Sequence, residues 1–335
     1  MSIQPALLEK HLRDILDLAI RHDAAHRHAL VIYDRESPLS RALAAAYRVA
    51  LADAAFLDFA VAGPAGTRAA IELLQAGDFV ALVQSQNFRL DDFRLRIELF
   101  QRGLATVEHG HLARIPEEQE ATYVEALAYD PGYYLPLGQR LKARLDRATS
   151  ATVLCAGTRL EYRTGFEPAK LNIGDYREMA NVGGTFPIGE VFTEASDLAQ
   201  VDGEAMVFSY SGRNHLLEVC EPFRIRIERG VLVSSSGTPK GFDEILATIR
   251  TTEEAMVREF GLGLNPAMHK GRVLSEITAF ERMKGLHFSL GAKHTVYKKP
   301  GINAKRSRYH VDIYIDVQRI ELDGELLFDG VDHAA

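Results

Sequence analysis

Glu190, Glu259, His287, His310 and Asp312 are carboxylates and imidazoles, the side chains that hold divalent metals through oxygen and nitrogen. The last two stand two residues apart in Tyr309-His310-Val311-Asp312-Ile313-Tyr314-Ile315. Alternate residues of a β-strand share a face, so a strand here projects His310 and Asp312 together. Such a pair is half of a metal site. Two glutamates and a histidine from other segments complete it, with ligands enough for two divalent ions.

Each residue alone has a plainer reading. Glu190 follows Gly183-Gly184-Thr185-Phe186-Pro187-Ile188-Gly189, a tight loop entering a strand, and an isolated loop glutamate is more often solvated. Glu259 is expected at the end of a helix that starts near Phe242. There it opposes the macrodipole unless a cation, either a metal or Arg258, compensates. His287 sits in Gly285-Leu286-His287-Phe288-Ser289-Leu290-Gly291, an apolar strand bounded by glycines, and a lone strand histidine is more often a hydrogen-bonded core residue. Glu281, six residues earlier, is a candidate base or proton shuttle, or else a solvated helix glutamate. The segment from Lys293 to Arg308 is basic in an acidic chain. Its Lys298, Arg306 and Arg308 are candidates to bind a substrate carboxylate, against the reading of a solvated loop. The other histidines are scattered and read mostly as surface residues; His109-Gly110-His111 is the one tempting pair.

These residues need elements to position them. Helical spacing is expected over 6–20, 37–51, 67–75, 88–102, 117–128 and 135–148, alternating with short apolar strands at 28–33, 55–61, 78–84 and 104–109. That alternation predicts an α/β N-terminal domain with a mainly parallel sheet, residues 1–150. The glycines of Ala62-Gly63-Pro64-Ala65-Gly66 match neither nucleotide-binding fingerprint. From Ala151 onward short strands and glycine turns dominate, and Phe223-Arg224-Ile225-Arg226-Ile227-Glu228 alternates apolar with charged. Residues 151–335 are therefore expected to form an α+β C-terminal metal-binding domain with largely antiparallel sheet.

Composition bounds the function. The 335 residues are 47% hydrophobic and 25% charged, with a net charge of −7. An acidic balance argues against nucleic acid as partner. Two cysteines, Cys155 and Cys220, make neither a disulfide framework nor a cysteine-rich zinc site, and suggest a reducing, cytoplasmic setting. The N-terminus lacks the pattern of a signal peptide, and no apolar run has the length of a membrane span.

The order of four motifs resembles a family. Phe186-Pro187-Ile188-Gly189-Glu190-Val191-Phe192-Thr193, Glu259-Phe260-Gly261-Leu262-Gly263-Leu264-Asn265-Pro266, His287-Phe288-Ser289-Leu290-Gly291 and His310-Val311-Asp312 resemble the M29 metallo-aminopeptidases, the aminopeptidase T and S group. The resemblance covers roughly 150–330. It implies Glu190, Glu259, His287, His310 and Asp312 as ligands of two ions among Zn, Co, Mn or Mg, a small peptide or amide substrate, and a homodimer. Glu281 matches an acidic position of the family once a one-residue gap is allowed. The family carries a tyrosine seven residues after its histidine; His294 stands there, which makes His294 a catalytic candidate, and Tyr297 is out of register. The chain is also shorter than the family's usual length. A second class on the same scaffold, the 2,5-dihydroxypyridine 5,6-dioxygenases, implies one Fe(II) instead. Its third ligand is a histidine where this chain has Glu259, and it lacks the Glu190 carboxylate. A scaffold protein with a vestigial site is the non-enzymatic alternative.

Overall fold

The computed structural model describes residues 3–90, 95–303 and 305–334. They divide into two compact units. The first comprises the described residues within 1–135, 174–188 and 274–279; the second comprises those within 136–173, 189–273 and 280–335.

The first unit is built on a five-stranded parallel sheet, in the spatial order Ala55–Asp58, Ala29–Tyr33, Phe79–Val83, Ala105–His109, Gly183–Thr185. The strand Phe79–Val83 is buried along its whole length, as an unbroken apolar run in a covered parallel sheet should be. Its Val80 and Leu82 share a core with Leu30, Ile32, Ile71 and Leu99. The helix Pro38–Ala50 begins with a capping box, in which Ser37 and Ser40 exchange side-chain and backbone hydrogen bonds. The expected strand 55–61 stops at Asp58. The Asp58 side chain accepts from the Ala60 N–H and starts the helix Phe59–Glu72 instead. The helix expected over 88–102 is seen as Leu95–Gln101; residues 91–94 lie outside the described residues. His109 is fully buried rather than superficial. Tyr47 Oη and Tyr123 Oη hold its ring nitrogens at 2.9 and 3.0 Å, and burial pushes it down to about 3, so it is neutral.

The second unit is a twelve-stranded antiparallel sheet. Its strands Val201–Ser211, Val311–Ile315, Gly285–Leu290, Val257–Gly263, Glu190–Glu194 and Lys170–Asn172 lie side by side in that order. Side chains alternate across this sheet. Phe260, Phe288 and Ile313 point into a core that includes Tyr162 and Phe166, with ring centroids 5.2 to 6.3 Å apart. The intervening residues Glu259, Gly261, His287 and Asp312 take the opposite face.

One expectation is corrected here. Glu259 does not end a helix. The helix spans Lys240–Arg250, and its buried stripe Phe242, Ile245, Leu246, Ile249 runs out because Thr252 and Glu253 are polar. The chain then turns into the strand Val257–Gly263. Arg258 does not compensate Glu259 either. Its guanidinium pairs with both oxygens of Glu194 at 2.8 Å, with both side chains almost fully buried. It also donates to the carbonyls of Ala292 and Tyr297, fixing the loop between them.

Breaking that pair leaves an uncompensated buried carboxylate. Arg258→Met should lower unfolding stability by about 3–5 kcal/mol in urea titration. The double change Arg258→Met/Glu194→Leu should cost less than the single one. A single change that costs no more than the double would refute this account of the pair.

Candidate metal centre

Four adjacent strands bring the candidate ligands to one face. Cross-strand registers align Gly263 with Glu190, Gly261 with His287, and Ser289 with Asp312. The two glycines make room on that face. A Cβ on Gly261 would stand 2.1 Å from His287 Cε1 and 2.2 Å from Nε2, so the imidazole lies where a side chain would be. A Cβ on Gly263 would stand 1.8 Å from the Met283 carbonyl oxygen. Glycine at 263 therefore lets the backbone around Met283 cross the sheet, carrying Glu281 and Arg282 to the cluster. Tyr314, on the other side of His287, packs its ring 5.8 Å away.

Glu190, Glu259 and His287 are buried, and one ligand atom from each lies within 4.8 Å of the others. His287 Nε2 is 3.4 Å from Glu190 Oε1 and 3.3 Å from Glu259 Oε1. Glu259 turns its second oxygen the other way: Oε2 lies 3.1 Å from His294 Nε2 and 3.9 Å from His310 Nε2. His310 Nε2 is in turn 3.1 Å from Asp312 Oδ1. Glu259 thus spans two corners, one with Glu190 and His287, the other with His310 and Asp312. Arg282 sits behind the first, 2.9 Å from Glu190 Oε2 and 2.6 Å from Glu281 Oε2, and the amide oxygen of Asn172 accepts from its Nη2 and Nε at 3.2 Å.

The donor set fits divalent ions on three grounds. First, four carboxylates (Glu190, Glu259, Glu281, Asp312) face one guanidinium, an imbalance that burial makes costly. Second, His310 Nδ1 lies 3.0 Å from the Lys293 carbonyl and donates to it, so the neutral ring turns an Nε2 lone pair toward Asp312. Two acceptors 3.1 Å apart need a proton or a cation between them, and among the described residues no hydrogen-bond donor meets the buried Asp312 Oδ1. Third, ligand bonds of about 2.0–2.1 Å in tetrahedral geometry place ligand atoms about 3.4 Å apart, close to the separations here.

Without an ion, protons supply the missing charge. Burial pushes His287 down, but the facing Glu190 and Glu259 outweigh it and hold it up at about 10. Burial likewise works against His310, and Asp312 with Glu259 raises it to about 10. Burial works to raise Glu259; His287 and His294 outweigh it and keep it well below the usual carboxylate range. Burial pushes Glu281 up to about 8, Arg282 pulling against it and Asp312 and Glu190 adding to it.

The structure brings Glu190, Glu259, Glu281, His287, His294, His310 and Asp312 into one cluster. Lys298, Arg306 and Arg308 are exposed on the loop, and among the described residues no hydrogen bond or ion pair ties their side chains to the cluster. Lys299 is not a free loop cation: it is buried against Glu167 and the Ala195 and Ser196 carbonyls. Sequence reasoning missed Arg282, whose only signal was its place beside Glu281, and the two glycines, whose spacing Gly-x-Gly after Glu259 carried the signal. A hollow of about 780 Å³ in the second unit, over Arg159, Asp202 and Arg226, shares no residue with the cluster.

No family model and no curated protein matches the sequence. Solved structures do match the fold. A 2,5-dihydroxypyridine dioxygenase from Pseudomonas putida KT2440 superposes with a TM-score of 0.67 at 17% identity, over 99% of this chain and 98% of that one. Wild-type AmpT from Thermus thermophilus superposes with a TM-score of 0.60 at 16% identity, over 98% and 99%. The chain has the M29-like fold that the motif order implied.

Two outcomes follow from this geometry. Gly261→Ala should displace His287 and weaken metal binding about 10–100-fold, with the circular dichroism spectrum unchanged; unaltered affinity would refute the cradle. Metal loading must also expel the protons on His287 and His310. Both groups are raised, so they are protonated at neutral pH and lose their protons only toward about pH 10. Affinity should therefore rise with pH across that window, and calorimetry in buffers of differing ionisation enthalpy should detect released protons. A flat pH dependence would count against the site.

Proposed function

We propose that this chain is a metal-dependent hydrolase acting on the amide bond of a small peptide or conjugate, most simply as an aminopeptidase. The observation that carries the reading is the carboxylate-rich cluster, in which Glu259 turns one oxygen to each of two corners. Such a set suits two hard or borderline divalent ions. Glu190, Glu259 and His287 would hold one; Glu259, His310 and Asp312 would hold the other. Ions bound there supply Lewis acidity for polarising a carbonyl and activating water.

The chain's own groups do the rest. Glu281 stands at the cluster against Arg282, and its affinity for a proton is raised to about 8. Near and above that value it can take the proton of the attacking water and return it to the leaving amine. Arg282 holds Glu190 and Glu281 in place through one nitrogen, Nη1. The exposed Lys298, Arg306 and Arg308 offer charge to a substrate carboxylate.

A second reading has an observation of its own, the likeness to a 2,5-dihydroxypyridine dioxygenase. On that reading His310 and Asp312 would hold a single Fe(II) for oxygen chemistry on an aromatic ring. Glu190 and Glu259 speak against it, since open mononuclear iron sites take two histidines and one carboxylate.

Metal content per chain, followed by a peptide panel and an aerobic assay on hydroxylated pyridines, separates the two. Two ions per chain and release of N-terminal residues are expected. Glu259→Gln should lose metal and activity together. Glu281→Gln should keep its metal and lose about 10²–10⁴-fold in kcat. One iron with oxygen uptake would replace the hydrolase by the oxygenase. Full hydrolysis by Glu281→Gln would remove that residue's role as base.

A further inference from the structure

We infer that His294 serves this site as a fixed hydrogen-bond donor to the carbonyl oxygen of the substrate, and not as a metal ligand. The substrate class is taken from the hydrolytic reading above; the donor state of the ring stands on geometry alone.

His294 Nδ1 accepts from the backbone N–H groups of Val296 and Tyr297, at 3.3 and 3.4 Å. A ring nitrogen that accepts carries no proton, and in a neutral imidazole the other nitrogen then does. Nε2 therefore presents N–H to the cluster. Ligation would need a lone pair there.

The loop keeps the ring in this pose. Arg258 holds the carbonyls of Ala292 and Tyr297 on either side of it, Tyr297 Oη donates to the Pro168 carbonyl at 2.8 Å, and Lys299 is anchored two residues further on. The ring itself is nine-tenths buried or more. Among the described residues its Nε2 makes no well-aligned hydrogen bond; Glu259 Oε2, at 3.1 Å, is close enough to feel its charge but fails the alignment. A buried donor without an acceptor is unfavourable unless a ligand provides one. His310 lies across from it, with ring centroids 5.9 Å apart, so the free N–H is aimed beside the corner that Glu259 and His310 share.

An amide hydrolysed there develops negative charge on its carbonyl oxygen. As water's oxygen bonds to the carbonyl carbon, the C=O π pair moves onto oxygen, and an N–H already in place stabilises it. The pair then returns, the C–N bond breaks, and the departing nitrogen takes the proton that Glu281 removed from water. His294 gives up no proton at any step.

The test uses the full-length, metal-loaded chain with His294→Phe and His294→Gln. Metal equivalents per chain, kcat and KM on an aminoacyl anilide, and the ¹⁵N imidazole signals of the wild type with and without metal are measured. The expected result is unchanged metal content and a kcat lower by about 10²–10³-fold in His294→Phe. KM should change little, and His294→Gln, which keeps an N–H, should recover part of the rate. The wild-type signal should keep the Nε2–H tautomer on metal loading. Loss of a metal equivalent from His294→Phe, or loss of the Nε2 proton on loading, would make His294 a ligand and overturn the inference. So would a kcat within about twofold of wild type. If the wild type hydrolyses no carbonyl substrate, the hydrolytic reading fails separately. The tautomer and metal count then decide between donor and ligand, and the wild-type spectrum does so even where a variant folds poorly.

Discussion

Four carboxylates meet one guanidinium on a single face of an antiparallel sheet, and the arrangement around them is organised by that unequal charge. A buried carboxylate is tolerated only with a partner. Arg282 can satisfy Glu190 and Glu281, but Glu259 and Asp312 are left to imidazoles. These must then hold protons they would not hold in water, or yield to cations. The apolar face of the same strands fixes where the carboxylates point. Phe260, Phe288 and Ile313 cannot leave the core without turning Glu259, His287 and Asp312 away from one another.

Much of this could be read from the sequence, and the reasons differ by residue. His310 and Asp312 were legible because the strand period is two and both neighbours are apolar. The alternation of short apolar strands with helices announced the parallel sheet, since covered parallel strands are apolar throughout. Glu259 was misplaced because the stripe Phe242, Ile245, Leu246, Ile249 is helical and nothing local states where it stops. Two threonines after Arg250 are weak terminators beside a glycine or proline. Arg258 and Arg282 were opaque for another reason. An arginine beside a glutamate reads as a solvated pair, and only the tertiary fold shows that Arg258 reaches Glu194, sixty-four residues earlier in the chain. The inclusion of 174–188 and 274–279 in the first compact unit is equally non-local.

The glycines show how a motif can be seen before it is understood. Gly261 and Gly263 follow Glu259 at alternate positions, so they share its face of the sheet. An alternating pattern with glycine in place of side chains is a strand with a hollow in it. Here the hollow takes an imidazole at 261 and a carbonyl at 263. Close approach to a sheet face is something only glycine permits, and it sets how near His287 and the Met283 backbone come to the carboxylates.

The two structural neighbours bear different names on one fold, so fold alone does not choose the chemistry. The choice lies in the donor atoms. A mononuclear iron site keeps one carboxylate and open positions for oxygen and substrate. This chain places Glu190 and Glu259 where their oxygens converge with His287, while His310 and Asp312 form a second corner on the far oxygen of Glu259. A single ion at the first corner would leave the Asp312–His310 contact to be settled by a proton, and one at the second would leave Glu190 to Arg282 alone. On the proposed two-ion reading both corners would be satisfied at once, because each ion would bring charge to the carboxylates that Arg282 does not reach.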